Sequence, residues 1–267
     1  MTTLDTRPPT SSATPPRTGG RPPGRTAALT RAELKLLLRE PLTTIVGVLF
    51  PAVLMVLLVG AFGNEPDPAM GGVGGADFYV PVYAAATIAV LGFMSIPTHL
   101  ASYRESGVLR RLRAAGVPAT AIVVAQAATM ALLVLVGVAL MLAIGFAAYD
   151  LSTPVSAAGV ATGFAAGTAA FAGIGVLLGS LMSTARAAQG VGLVLFFGLF
   201  FISGGGPPPD LMPGVLNDAV RFTPMGPLVS AIRDPWHGAG WNIAALGALA
   251  TIAVVSTAIA IRRFSRR

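Results

Sequence analysis

Few side chains in this 267-residue sequence are equipped for chemistry. Cysteine is absent, histidine occurs only at His99 and His237, and one lysine, Lys35, stands beside seventeen arginines. That composition excludes thiol catalysis, disulfides, Cys-ligated metals and a His-rich metal centre. Lys35 has no phosphate-cradling glycine loop around it, so if ATP drives this protein, another chain binds it. The residues whose spacing stands out lie between Tyr103 and Pro118. Leu109 and Leu112, followed by Ala115 or Gly116, form a narrow apolar stripe at helical spacing. Arg110, Arg111 and Arg113 cover the other sides, with Glu105 near the expected helix start and Gly116 and Pro118 at its stop. The chemistry on offer is recognition: a short surface helix that docks on a partner. A loop that merely orients a membrane protein needs only the arginines, and leaves Glu105, Gly107, Leu109 and Leu112 unexplained.

The elements that must position this stretch are apolar. The chain is 54% hydrophobic and 11% charged, where soluble proteins carry roughly 25% charged residues. Charge is missing from Leu42 to Gly63, Phe78 to Tyr103, Val117 to Tyr149, Leu151 to Thr184, Ala187 to Pro209 and Pro235 to Ile261. Each window is long enough for the roughly 20 helical residues that cross a bilayer core. The expected fold is an all-α polytopic membrane protein with six transmembrane helices, an N-terminal interfacial helix and a re-entrant helical segment before the last span. The spans are expected at about 43–62, 78–100, 119–149, 154–182, 188–203 and 241–261.

Residues 1–26, rich in Pro, Thr, Ser, Gly and Arg, read as a disordered tail without the apolar core of a signal peptide. From 27 to 40, Leu34, Leu37 and Leu38 share one face while Arg31, Lys35 and Arg39 share another, as in a helix lying along anionic headgroups. Pro41 is expected to break it, and Pro51 to kink the first span. In the fourth span, Gly163 with Gly167 and Gly175 with Gly179 have the small-xxx-small spacing of close helix packing, without indicating a partner. The run Gly204 to Pro209 cannot continue a helix. Residues 210–236 are too polar to span and too apolar for a free loop, and read as two short helices dipping into the membrane. Trp236 and Trp241 are expected at the interface. Residues 263–267 form a basic tail.

Six spans put both termini on one side. Sixteen of the eighteen basic residues fall there, leaving only Arg221 and Arg233 opposite, among seven acidic residues. The positive-inside rule makes the first side, with the Tyr103–Pro118 stretch, cytoplasmic. The basic excess of +7 is then spent on topology and anionic lipid rather than nucleic acid. No span interior carries a charge, which weakens an ion-coupled carrier, and none holds the paired acids or Ser/His set of an intramembrane hydrolase. His99 is read as interfacial, and Gln126, Thr129 and Thr168 as polar groups bonded to neighbouring helices.

In this order on six spans, residues 27–262 resemble the permease subunits of ABC-2-type transporters, especially actinobacterial drug-resistance and antibiotic-export members. Four features carry the resemblance. One is the interfacial helix before span one, and another is the stretch Glu105, Gly107, Leu109, Arg110, Leu112 and Pro118. The others are the Gly-rich break with Pro207 to Pro209, Leu211 and Pro213, and the patch Phe222, Thr223, Pro224, Pro227, Leu228 and Arg233. Two departures are the Gly116-Val117 insertion before the proline and the unusually rich break. The resemblance implies a six-helix half-transporter in the cytoplasmic membrane, working as a homo- or heterodimer with a separate cytosolic ATPase that holds ATP and magnesium. No catalytic, cofactor or metal residue is implied for this chain itself. Glu105, Gly107, Leu109, Arg110, Arg111, Leu112 and Arg113 would couple it to the ATPase. Spans two and five would line the dimer interface, with Phe93, Met94, Phe196, Phe197, Phe200 and Phe201 touching a hydrophobic drug, natural product or lipid, or else facing lipid. The rival reading is an ATP-independent carrier or channel.

Overall fold

A computed structural model describes residues 41–205, 219–220 and 222–266, without the side chains of 41–47, 113 and 264–266. The tail, the expected interfacial helix at 27–40 and most of the Gly/Pro break with the segment to 218 lie outside the described residues, as does Arg221. The described chain is all-helical, with one isolated bridge between Asp67 and Val73. The helices are α1 (Pro41–Phe62), α2 (Gly75–Glu105), α3 (Val108–Ala114), α4 (Ala119–Ala148), α5 (Ala157–Leu181), α6 (Ala185–Gly205), α7 (Met225–Trp236) and α8 (Ile243–Arg266).

Five of these are long and apolar enough to cross a membrane: α2, α4, α5, α6 and α8. Within α1, the side chains described from Val48 to Phe62 make a shorter apolar helix.

The bundle is built around α2. Its most apolar stretch is 89% buried, against 22% for α8. At 31 residues it is a rod of about 46 Å, well beyond a hydrocarbon core of about 30 Å. Pro97 would press its ring on the carbonyl four residues back. The helix meets this by widening to a π turn over Leu91–Ser95, where the Ile96 N–H bonds the Leu91 carbonyl.

Helix α5 holds the other elements together through faces stripped of side chains. A methyl at Gly163 would run into the Ala231 carbonyl oxygen, and one at Gly167 into Leu228, both on α7. One turn pair later, Gly175 abuts Gly92 and Ile96, and Gly179 abuts Leu100, all on α2. Gly173 faces Ser256 on α8. The two glycine pairs thus serve different partners on different faces. Ser156 caps α5 through its Oγ to the Gly159 N–H at 3.2 Å, and Thr184 caps α6 through the Ala187 N–H at 3.1 Å.

Candidate functional site

The polar stretch after α2 folds as an elbow, differently from the single capped helix expected. Glu105 is the last residue of α2, not the start of the next helix. Ser106 closes the turn on the Ser102 carbonyl through both its N–H and its Oγ. Gly107 then takes φ +73°, a left-handed conformation that a side chain would strain, and the chain turns into α3. The stop is Gly116 at φ +72°, with the Val117 N–H reaching back to the Leu112 carbonyl at 3.0 Å. That six-to-one bond is the Schellman closure, so glycine ends α3 and Pro118 instead begins the approach to α4.

Side chains sort by face. Leu109 is 4% exposed and Leu112 is half-buried, both packed against the chain's own core together with Tyr103 and Val117. The stripe read from the sequence therefore holds α3 onto its own bundle. Glu105, Arg110 and Arg111 are exposed, and the Arg110 guanidinium folds back to within 3.6 Å of where a Gly107 Cβ would stand. The Arg113 side chain is outside the described set.

Arg104, by sequence one more positive charge in the Tyr103–Pro118 stretch, has a specific structural part. Its Nη1 donates to the Met182 carbonyl at 2.6 Å and its Nη2 to the Ser180 carbonyl at 2.9 Å. Ser180 lies in the last turn of α5 and Met182 is its C-cap, and carbonyls at that end have no partner within the helix and carry the negative end of its dipole. A cation near a helix end was legible; which carbonyls it would meet, 78 residues on, was not.

The six expected substrate contacts divide. Phe93 is 2% exposed, edge-to-face with Phe171 of α5 at 5.2 Å, and its backbone meets α6 at Gly192. Phe196 and Phe200 are each 1% exposed and stack at 5.3 Å. Phe50 and Phe197 extend that cluster on one side and Tyr83 on the other. Tyr83 donates its hydroxyl to the Gly205 carbonyl at 2.7 Å, tying α2 to the end of α6. Burial inside one subunit removes Phe93, Phe196 and Phe200 from direct contact with lipid or a neighbouring chain. Met94 and Phe197 are half-buried, and Phe201 is 50% exposed.

His99 is buried, beside Ser95, Gln126 and Thr129 around a small internal gap. Trp236 is 3% exposed within the bundle, while Trp241 is 49% exposed.

Apolar spans around a central helix, ending in an exposed elbow, define a multi-pass helical membrane protein. Among the described residues no cluster of His, Asp or Glu could hold a metal ion. The chain belongs to the ABC-2 type transporter family, whose family model matches residues 25–235. It is thus the membrane component of an ABC transporter and not its ATPase, and members of the family generally partner with an ABC ATPase. No curated protein matches the chain.

Proposed function

We propose that the chain is the permease half of an ATP-driven exporter of hydrophobic compounds, in the manner of drug-resistance and antibiotic-export systems. The elbow from Glu105 to Pro118 seats on a cytosolic ATPase that holds ATP and magnesium. The observation that supports this reading is that α3, anchored inward by Leu109, leaves Glu105, Arg110 and Arg111 exposed at the end of the central helix. Arg104 joins that end to α5, so a push on α3 moves α2 and α5 together.

In this reading α1 is the first of six spans, and charge puts both termini and α3 in the cytoplasm. α7, with 12 residues and about 18 Å of length, is too short to span and dips in from the far side. Two copies, or this chain and a relative, form the pathway. Met94, Phe197 and Phe201 meet a drug, natural product or lipid, while Phe93, Phe196 and Phe200 shape the wall behind them.

The test is co-purification of an ABC ATPase with the tagged full chain, followed by ATP hydrolysis and transport in proteoliposomes. Arg110→Glu with Arg111→Glu should release the ATPase and abolish transport while leaving the unfolding profile unchanged, because both side chains are exposed. A doubly reversed variant that holds its ATPase as tightly as the parent sinks the coupling assignment. Transport that persists without any ATPase marks an ATP-independent carrier instead.

A further inference from the structure

At the end of the bundle opposite Arg104, a cavity of about 930 Å³ opens between α7, the start of α8, the end of α6 and the loop before α2. Pockets for drug-sized ligands run to roughly 300–1,000 Å³. Met70, Phe78, Ile202 and Val229 give it apolar walls, while Ser203, Ser230, Arg233, His237 and Asn242 supply polar groups.

Several of those groups are committed. The Ser203 Oγ donates to the Leu199 carbonyl at 2.6 Å. Asn242 spends its amide N–H on Asp234 Oδ2 at 2.7 Å and accepts from the Ala245 N–H at 2.9 Å. His237 holds a proton less readily than an ordinary histidine, first because its ring is desolvated and also because Arg233 lies near. Asp77 and Asp234 oppose that shift without reversing it.

Arg233 is left as the permanent charge on the described wall, which includes no carboxylate. Its Nε forms a loose ion pair with Asp234 Oδ1 at 3.8 Å, too long for a hydrogen bond, and the other Asp234 oxygen is engaged by Asn242. A carboxylate or phosphate matches the paired N–H donors of a guanidinium, and an alkyl chain matches the apolar walls.

We propose that this cavity seats the head and proximal chain of an anionic amphiphile, with Arg233 as the head-group contact. The site shares no residue with the elbow or the Phe93–Phe201 set, and occupancy needs no ATP, so it stands or falls separately from the coupling reading.

The experiment uses the full chain in neutral phosphatidylcholine nanodiscs, titrated with a fluorescent fatty acid, its methyl ester and the amine of the same chain. The carboxylate should bind saturably and about tenfold tighter than the ester. Arg233→Gln should erase that preference while sparing ester binding. Ser230→Trp, or Ala248→Phe should the first not fold, should remove both by filling the cavity. Equal binding of the three probes overturns the proposal, as does a preference that survives Arg233→Gln or binding untouched by both filling variants. Anionic phosphatidylglycerol in the nanodisc separates the sources: competition marks a lipid headgroup, and unchanged binding marks a free acid.

Discussion

Arg104 and Met182 are joined by a 2.6 Å hydrogen bond from guanidinium Nη1 to carbonyl oxygen, which ties the end of α2 to the end of α5. With the second bond to Ser180 at 2.9 Å, one side chain satisfies two carbonyls that a helix terminus leaves open. Arg104→Ala should cost about 2 kcal/mol, given about 1.5–3 kcal/mol for a charged hydrogen bond and partial exposure here. Thermal unfolding of the purified protein measures it. Arg104→Lys, which lacks the fork needed to reach both carbonyls, should recover only part of the loss.

Packed and open glycines of α5 and α6 predict opposite signs for one substitution. Gly163→Ala puts a methyl against the Ala231 backbone oxygen, which no side-chain rotation relieves, and should destabilise by about 1–3 kcal/mol. Gly190→Ala and Gly198→Ala in α6 meet nothing within 4 Å and should stabilise by about 0.5–1 kcal/mol through helix propensity alone. Denaturation midpoints of the three variants decide. Equal effects at all three positions would disprove the packing account.

Tyr83→Phe keeps the ring against Phe200 at 5.4 Å and removes only the buried bond to the Gly205 carbonyl. The expected loss is about 1–2 kcal/mol, with helix content unchanged by circular dichroism. A variant as stable as the parent would mean that the carbonyl finds another donor.

His237 ties stability to pH. Its pKa in the fold is lowered from 6.5, chiefly by desolvation of the ring. The unfolded chain therefore takes up the proton first as pH falls. The contribution from this residue is present above about pH 6.5 and is lost as pH drops through the lower folded value. Unfolding temperatures across that range should fall less steeply in His237→Gln than in the parent.

The elbow shows what could be read in advance. Its position after the second apolar window, its arginines and its two turn-making glycines were all visible as residue types in order. The direction of Leu109 was not. An apolar stripe on a short helix has the same spacing whether it meets a partner or its own core, and only the tertiary structure shows Leu109 buried within the bundle's core cluster. Phe196 and Phe200 are similar: adaptable aromatic contacts by type, buried wall by position.

The sequence by itself determined that this chain is an all-helical, multi-pass membrane protein of the ABC-2 type. Solvent selects composition locally, and long uncharged windows record a bilayer without reference to any other part of the chain. Only the tertiary structure decided that Gly163 meets α7 while Gly175 meets α2, that Arg104 closes the end of α5, and that Arg233 is left facing a cavity. Such pairings depend on which helix faces touch across scores of intervening residues, and helical periodicity records a face but not what covers it.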